Sequence, residues 1–368
     1  VLLSTPALIK VANMKRLFDE PGESRKLHKT SVPSIGGIII FAATLFSYAL
    51  WFPTENAGAD KMIIADFKYI VATLLILFFI GVKDDIIGTA PVKKLIGHFI
   101  VGLILVTMAD IRITSMHGLF GIKEIPYWAS LFLSLFTFIV ISNAFNLIDG
   151  LDGLASGIGL IACLAFGLWF FLAGELTYAC LAFALGGSLL AFLVFNFYPA
   201  KIFMGDSGAL IIGLIISILA IKLIEFPKSH LPPILSGLSK PVFAIAVLIY
   251  PLFDTLRIFI NRSIKGHSPF SPDNKHIHHR LLKIGLSQRQ AVLALYFVNT
   301  LLIIIAAFTG GLGPNNAFMI VGGTALLIGQ IPFFIKKNST EKNSLIANPS
   351  FSGHAVPHCI YPAILFTA

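Results

Sequence analysis

An all-α fold threaded repeatedly through a membrane is predicted by three features of the sequence. Ten apolar runs each approach the length of about 20 residues that a helix needs to cross a bilayer. Apolar residues make up 56% of the 368, at a mean hydropathy of +0.87. Only 12% are Asp, Glu, Lys or Arg, about half the usual share for a soluble domain. A soluble globule is excluded by these values, and a disordered chain is excluded by the same hydropathy together with 33 Phe.

In chain order the predicted spans lie near 35–53, 67–82, 95–110, 128–145, 154–173, 177–198, 208–224, 241–260, 291–310 and 317–335. The opening stretch Val1 to Val11 is apolar but too short to cross, and reads as the end of a truncated first helix, the eleventh of a full-length chain. No cleavable signal peptide is visible in the sequence. The connecting segments are too short for a soluble domain, so residues 1–337 are expected to form a single transmembrane domain. The weakly patterned tail 338–368, with Pro349, Pro357 and Pro362, has no readable role. Cys163 and Cys180 fall inside apolar runs, where cysteine acts as a small packing residue.

The formal charge of +9 is explained by topology. With the opening fragment exiting on the inner side, 20 of the 27 Lys and Arg fall on inner segments. That asymmetry fixes the orientation by the positive-inside rule and leaves no excess charge that calls for nucleic acid.

The same inner face gathers the polar residues that an apolar chain has least reason to keep. They are Asp84 and Asp85 in GVKDDIIG, the run NAFNLIDGLDG from 143 to 153, FMGDSG from 203 to 208, and HIHHR from 276 to 280. Ionisable groups at a membrane boundary are costly and mark function by default. Asn143, Asn146, Asp149 and Asp152 recur every third residue, and an unbroken helix would turn the first and last of them to opposite sides. Gly150 and Gly153 predict a break that lets Asn146, Asp149 and Asp152 turn toward one point. Asp84 and Asp85, about 100° apart on a helix, are expected to do different jobs.

Five aspartates on one face would repel an anionic substrate, so either the substrate is cationic or a metal neutralises them, and a divalent ion is the economical choice. An all-oxygen donor set without thiolate suits Mg²⁺, or Mn²⁺, rather than zinc. His276, His278 and His279, flanked by Lys275 and Arg280, read as a clamp for phosphate, with His276, His279 and Arg280 on one helix face. Ser271-Pro272-Asp273 ahead of them resembles a helix start, whose free backbone donors bind phosphate oxygens. Acids with a metal beside a basic clamp describe phosphoryl transfer.

Taken in order, these motifs resemble the polyprenyl-phosphate N-acetylhexosamine-1-phosphate transferases of bacterial envelope synthesis. The resemblance runs from about Asp19 to about Arg289. It rests on DEPGESRKLH at 19–28, SIGG at 34–37, Asp84-Asp85, NAFNLIDGLDGLA at 143–155, NFYPAKIFMGDSG at 196–208 and HIHHRL at 276–281. What it implies is Mg²⁺-dependent transfer of a sugar 1-phosphate from a UDP-N-acetylhexosamine to undecaprenyl or another polyprenyl phosphate, with release of UMP. The location implied is the bacterial inner membrane, with the active site on the cytoplasmic face and a homodimer possible.

By motif position, Asp206 would hold the metal with Asp149 and Asn146, and Asp84 and Asp85 would act on the lipid phosphate, by positioning or by deprotonation. Asp149 and Asp152 would shape the nucleotide and metal site. Gly150, Leu151, Asn196 and Phe203 would border the uridine, with Phe203 stacking on the base. Asn143, Lys94 and Arg280 would add substrate contacts, and His276, His278 and His279 would face the diphosphate. HIHHR resembles the branch that transfers GlcNAc-1-phosphate, because the peptidoglycan branch, which transfers phospho-MurNAc-pentapeptide, has three consecutive histidines where Ile277 interrupts them here. A rival of another class, an ion-coupled transporter, would place its acids at mid-bilayer and show an inverted repeat. Neither feature is present in the sequence.

Overall fold

The computed structural model describes residues 1–15, 18–19, 32–53, 61–264, 266 and 276–335. Every predicted span becomes helix. In order these are α1 (Ser4–Lys15), α2 (Gly36–Leu50), α3 (Lys61–Ile87), α4 (Pro91–Leu103, continued to Met108 by a wider turn), α5 (Tyr127–Ile148), α6 (Leu154–Leu172) and α7 (Leu176–Asn196). They continue as α8 (Gly205–Glu225), α9 (Lys240–Val247), α10 (Ile249–Ile264), α11 (Ile277–Ile284), α12 (Gln288–Phe308) and α13 (Pro314–Phe334). The protein is a multi-pass, all-α membrane protein.

The sequence-based count of ten spans is higher than the described helices support by length and apolarity alone. Seven qualify singly, and α9 with α10 make an eighth if the bent pair is one span. Of the remainder, α2 has 15 residues. By contrast α3 has 27, about 40 Å at helical rise. The opening fragment is helical over Ser4–Lys15. The motif at 20–28, the segment 271–273 and the tail 338–368 lie outside the described residues.

The bundle is organised around α8, which is buried along nearly all of its length. Water cannot screen so enclosed a helix, and lipid is as apolar as its side chains, so close backbone approach supplies the attraction. Glycines permit it on three sides. A Cβ on Gly37 of α2 would sit 2.1 Å from the Gly208 nitrogen, and one on Gly81 of α3 would sit 2.4 Å from the Cα of Ser207. A Cβ on Gly213 of α8 would come within 2.5 Å of the Cα of Ser142 in α5.

At its far end α8 is tied by charge, where Lys222 donates to Asp66 of α3 at 2.5 Å and Tyr178 of α7 donates to the same oxygen. Beyond it, Glu225 accepts from the Thr114 nitrogen at 2.8 Å and holds the outer loop that carries the Ser115–Glu124 bridge.

The turn between α9 and α10 bends the path by 76° at Leu248. Its cause is legible in the chain. Pro251 has no N–H to give the carbonyl of Val247, one helical turn earlier. Asn299 of α12 makes good the loss, donating to Val247 O at 3.2 Å and accepting from Tyr250 N at 3.3 Å.

Packing this tight predicts that Gly213→Leu lowers stability by about 1–3 kcal/mol or more. Gly187→Leu, where a Cβ meets nothing within 4 Å, should change it little. Thermal unfolding midpoints in detergent check the contrast.

Candidate active site

One end of the bundle collects helix termini, and with them nearly every polar residue singled out above. The last turn of α3 carries Asp84 and Asp85, the first turn of α4 carries Lys94, and α5 ends at Ile148 with Asp149 as its cap. The expected break follows. Gly153 adopts φ +81° and starts α6, and a Cβ there would press on Phe197 at 2.9 Å. Tyr296 of α12 donates to the Gly153 carbonyl and fixes the break from outside.

Asp84 and Asp85 do separate jobs. Asp84 pairs with Lys94 at 2.8 Å, and the same ammonium pairs with Asp206. Asp85 instead caps α8. It accepts from Asp206 N at 2.6 Å, from Ser207 N at 3.1 Å and from the Ser207 hydroxyl at 2.5 Å. These are donors that a buried helix start cannot give to water. Gly205 makes the approach possible, with φ +73° and no Cβ to collide with Asp85. Lys94 is itself positioned, because its carbonyl meets His98 Nδ1 at 2.8 Å while His98 Nε2 meets Ser142 of α5 at 3.0 Å.

The second group surrounds Asp149. Withdrawal from water, and then the charges of Asp85 and Asp152, push its carboxyl up to about 7. Asp152 accepts from Ala200 N at 2.9 Å and so ties the break to the segment after α7. Asn196 is buried there, accepting from Ser156 at 2.7 Å and donating to Ile202 O at 3.0 Å. Leu151 packs in the core. Asn143 donates to Ile139 O at 2.7 Å, and Asn146 is half-buried one turn further on. Phe203, also half-buried, is held by its backbone, donating to Pro33 O at 2.7 Å and accepting from Gly36 N at 3.0 Å.

The histidines form the third wall. A Cβ on Gly150 would lie 2.9 Å from His278 Nε2, so the histidine edge abuts the Asp149 turn. The rings of His276 and His278 stack 5.2 Å apart, and His279 lies 4.4 Å from His278. Burial, and then His279, push the His278 imidazole down to about 3, so that it is neutral in the unliganded site.

Helix α11 begins at Ile277, with His276 as its cap. Arg280 lies on it with its guanidinium turned to the end of α13, donating to Pro332 O at 3.0 Å and Ile335 O at 3.2 Å. The cationic face expected from His276, His279 and Arg280 together therefore lacks Arg280, because bare carbonyls at a helix end compete for its donors.

Two residues were passed over in the sequence. Tyr250 meets His278 Nδ1 at 3.4 Å, and Asp254, one turn further along α10, accepts from His276 Nδ1 at 2.9 Å. An aspartate within an apolar helix was the available signal for the second.

Asn146 in the last turn of α5, Asp149 at its cap and Asp206 in the first turn of α8 carry oxygen atoms of the kind a hard cation takes. Beside them stands a histidine wall suited to an anion. Electrostatic crowding at Asp149 is the feature that a divalent ion would relieve.

Comparison with known proteins gives a consistent picture. The family model for glycosyl transferase family 4 matches residues 67–224, which run from α3 to the end of α8. The chain is similar to the decaprenyl-phosphate N-acetylglucosaminephosphotransferase of Mycolicibacterium smegmatis, at 33% identity over 312 residues, 81% of this chain and 77% of the relative. The protein of the same description from Mycobacterium leprae is 32% identical over 333 residues, 87% and 83% of the two chains. The undecaprenyl-phosphate alpha-N-acetylglucosaminyl 1-phosphate transferase of Escherichia coli K12 is 30% identical over 300 residues, 80% and 76%.

The Asp149 environment makes a prediction about the metal-free protein. The folded state binds this proton up to about pH 7, whereas an unfolded aspartate releases it near about 4. The contribution is therefore fully present below about pH 4 and is lost as pH rises through about 7. Melting midpoints in a chelator should fall between about pH 5 and about pH 8 by more in the wild type than in Asp149→Asn.

Proposed function

The chain belongs to glycosyl transferase family 4, and from that premise we propose that it transfers N-acetylglucosamine 1-phosphate from UDP-N-acetylglucosamine to a polyprenyl phosphate, releasing UMP. The observation that carries this reading is the single site formed by Asp84, Lys94, Asp149 and Asp206 on one side and His276 and His278 on the other. It offers cation-binding oxygens opposite a wall for phosphate, at the end of helices that reach the lipid. The activity for which the relatives are named supports GlcNAc as the sugar, and Ile277 within the histidine motif agrees with it. Neither the peptidoglycan donor nor a transporter is favoured by any of these findings.

Electrostatics dictates what such a site must do. Two dianionic phosphate groups about 5 Å apart repel by roughly 3 kcal/mol in bulk water, and by roughly 13 at an effective dielectric of about 20. Mg²⁺, or Mn²⁺ in its place, held by Asp206, Asp149 and Asn146, would supply the charge that balances the diphosphate and stabilises the departing UMP. The protein's own groups do the remainder. Lys94 stands between Asp84 and Asp206, close enough to receive an acceptor phosphate while Asp84 keeps the ammonium in place. A phosphate dianion is already nucleophilic, so Asp84 acts by positioning. Asp85 acts on no substrate; it holds the start of α8, and therefore Asp206, in register. His278, neutral and set against Gly150, offers a hydrogen bond that leaves the charge of the site unchanged.

The lipid substrate has an apolar counterpart. A groove between α10, α12 and α13, lined by Phe253, Leu281, Val298, Leu302 and Ile328, opens beside Tyr250 and Ile277. It could receive part of a polyprenyl chain whose phosphate reaches the histidine wall. The clustering of basic residues on the segments around this end supports a site on the cytoplasmic face of a bacterial plasma membrane.

Membranes or detergent preparations should exchange labelled UMP into UDP-GlcNAc when polyprenyl phosphate and Mg²⁺ are present, and thin-layer analysis should show a lipid-linked GlcNAc product. Failure with every UDP-N-acetylhexosamine offered would overturn the reading, while a product with a different sugar would overturn the donor alone. Asp206→Asn should lower turnover by about 100-fold or more without loss of membrane insertion, and near-normal turnover would remove its role.

A further inference from the structure

Outside the acid cluster, one buried carboxylate has a set of partners that packing alone does not require. Asp254 lies on α10, fully buried. One oxygen accepts from Ile277 N at 3.0 Å and from Arg257 at 3.2 Å, and the other from the His276 ring at 2.9 Å. Tyr250, one turn earlier on the same face of α10, approaches His278 Nδ1 at 3.4 Å. The two histidine rings are nearly parallel, at 8°. Both therefore engage α10 through Nδ1, and each leaves its Nε2 edge directed away from it. For His278 that edge lies against Gly150, beside Asp149.

We propose that Asp254 is a positioning residue for the transfer reaction: it holds the Nδ1–H of His276, presents Nε2 to the substrate diphosphate, and balances the imidazolium formed when Nε2 takes up a proton from solvent and donates it in a hydrogen bond to phosphate. The inference rests on the function proposed above. Its chemical basis is general. A buried carboxylate on one imidazole nitrogen fixes which nitrogen is protonated and stabilises the cation that forms at the other.

A carboxylate is needed for this, and an amide will not serve. Three donors converge on Asp254, and a carboxylate has acceptor sites for all of them, while asparagine has one acceptor oxygen. In Asp254→Asn the amide oxygen is claimed by Ile277 N–H and Arg257, so the NH₂ group faces His276 and moves the ring proton to Nε2.

The same three side chains, Asp254, His276 and His278, bring ligand atoms within 4.8 Å of one another and could be read as a metal centre. The charge of Arg257 and the backbone donor on the same carboxylate favour the hydrogen-bonded arrangement.

The test combines ring spectroscopy with kinetics on the full chain. In protein labelled with ¹⁵N at histidine, the His276 signals are assigned by their loss in His276→Gln. They should show an Nδ1–H ring in the wild type at mildly alkaline pH and an Nε2–H ring in Asp254→Asn. A wild-type ring protonated on Nε2 overturns the proposal without need of any variant, as does one equivalent of transition metal retained through purification.

In GlcNAc-1-phosphate transfer, Asp254→Asn should lower kcat/KM by about 100-fold or more. The same substitution added to His276→Gln should cost less than about threefold, because a residue acting through another has nothing left to act on. Equal losses in both backgrounds would mark Asp254 as merely structural. Failure of the premise reads differently, since an enzyme inactive toward every donor in its wild-type form overturns the proposal through the reaction and leaves the ring tautomer to be seen independently.

Discussion

The carboxylate of Asp85 closes the start of α8, and much of the molecule depends on that contact. A helix enclosed on all sides cannot send its first N–H groups to water, so a partner must come from a neighbour. Asp85 is the neighbour's contribution, and Gly205 and Gly81 are the small residues that let the two backbones come near enough. Helix α3 grips α8 again at the opposite end, where Asp66 meets Lys222. One antiparallel helix pair is thus fastened at both ends by aspartates of the same strand of sequence. The site end has its register set by the Asp85 contact, and Asp206 emerges from α8 at the place where α4 delivers Lys94.

The second wall depends on a different device. Pro251 withdraws a helical hydrogen bond and Asn299 supplies the replacement, so the path turns at Leu248 at little cost in unsatisfied backbone. The turn gives α10 its own direction. Tyr250 and Asp254, one turn apart, consequently face α11 and hold two histidines by the same ring nitrogen. The acid wall comes from the ends of α3, α5 and α8 and the histidine wall from α10 and α11, and they meet where Gly150 leaves room for His278.

Much of this was legible in the sequence, and the parts that were not have physical reasons. Spans show as long apolar runs because lipid imposes one constraint along the whole of each. The break after Ile148 shows because two glycines interrupt a polar repeat that a continuous helix could not aim at one point. The different tasks of Asp84 and Asp85 follow from helical rotation alone. Lys94 gave no hint of bridging Asp84 and Asp206, since that pairing spans more than a hundred residues and has no local pattern. Arg280 looked available because it stands beside histidines, and only the fold shows the free carbonyls of α13 competing for it. Asp254 was hidden by its surroundings, as one acid within an apolar helix carries no motif of its own. Hydropathy does not tell a straight crossing from the bent pair α9–α10 or from the 15-residue α2, so the positions of the spans are more legible than their number.

The acids of the site are stabilised in three ways, and the differences sort their roles. Asp85 is satisfied chiefly by backbone and hydroxyl donors of α8, which cannot leave without uncapping the helix. Asp84 and Asp206 share one ammonium, a mobile partner at the end of a flexible stem. Asp149 meets its surroundings by keeping a proton up to about neutral pH. A divalent ion at this end of the bundle would displace an ammonium and a proton, because both can move into water, more readily than a helix start. Asp206 and Asp149 are therefore the acids that would turn toward a cation, while Asp85, close by, is committed to the fold. Asp84 would keep Lys94 if Asp206 gave it up, and the ammonium would then have a hydrogen bond to offer an incoming phosphate. The same ion that satisfies the carboxylates would in this way release the group that binds the second substrate.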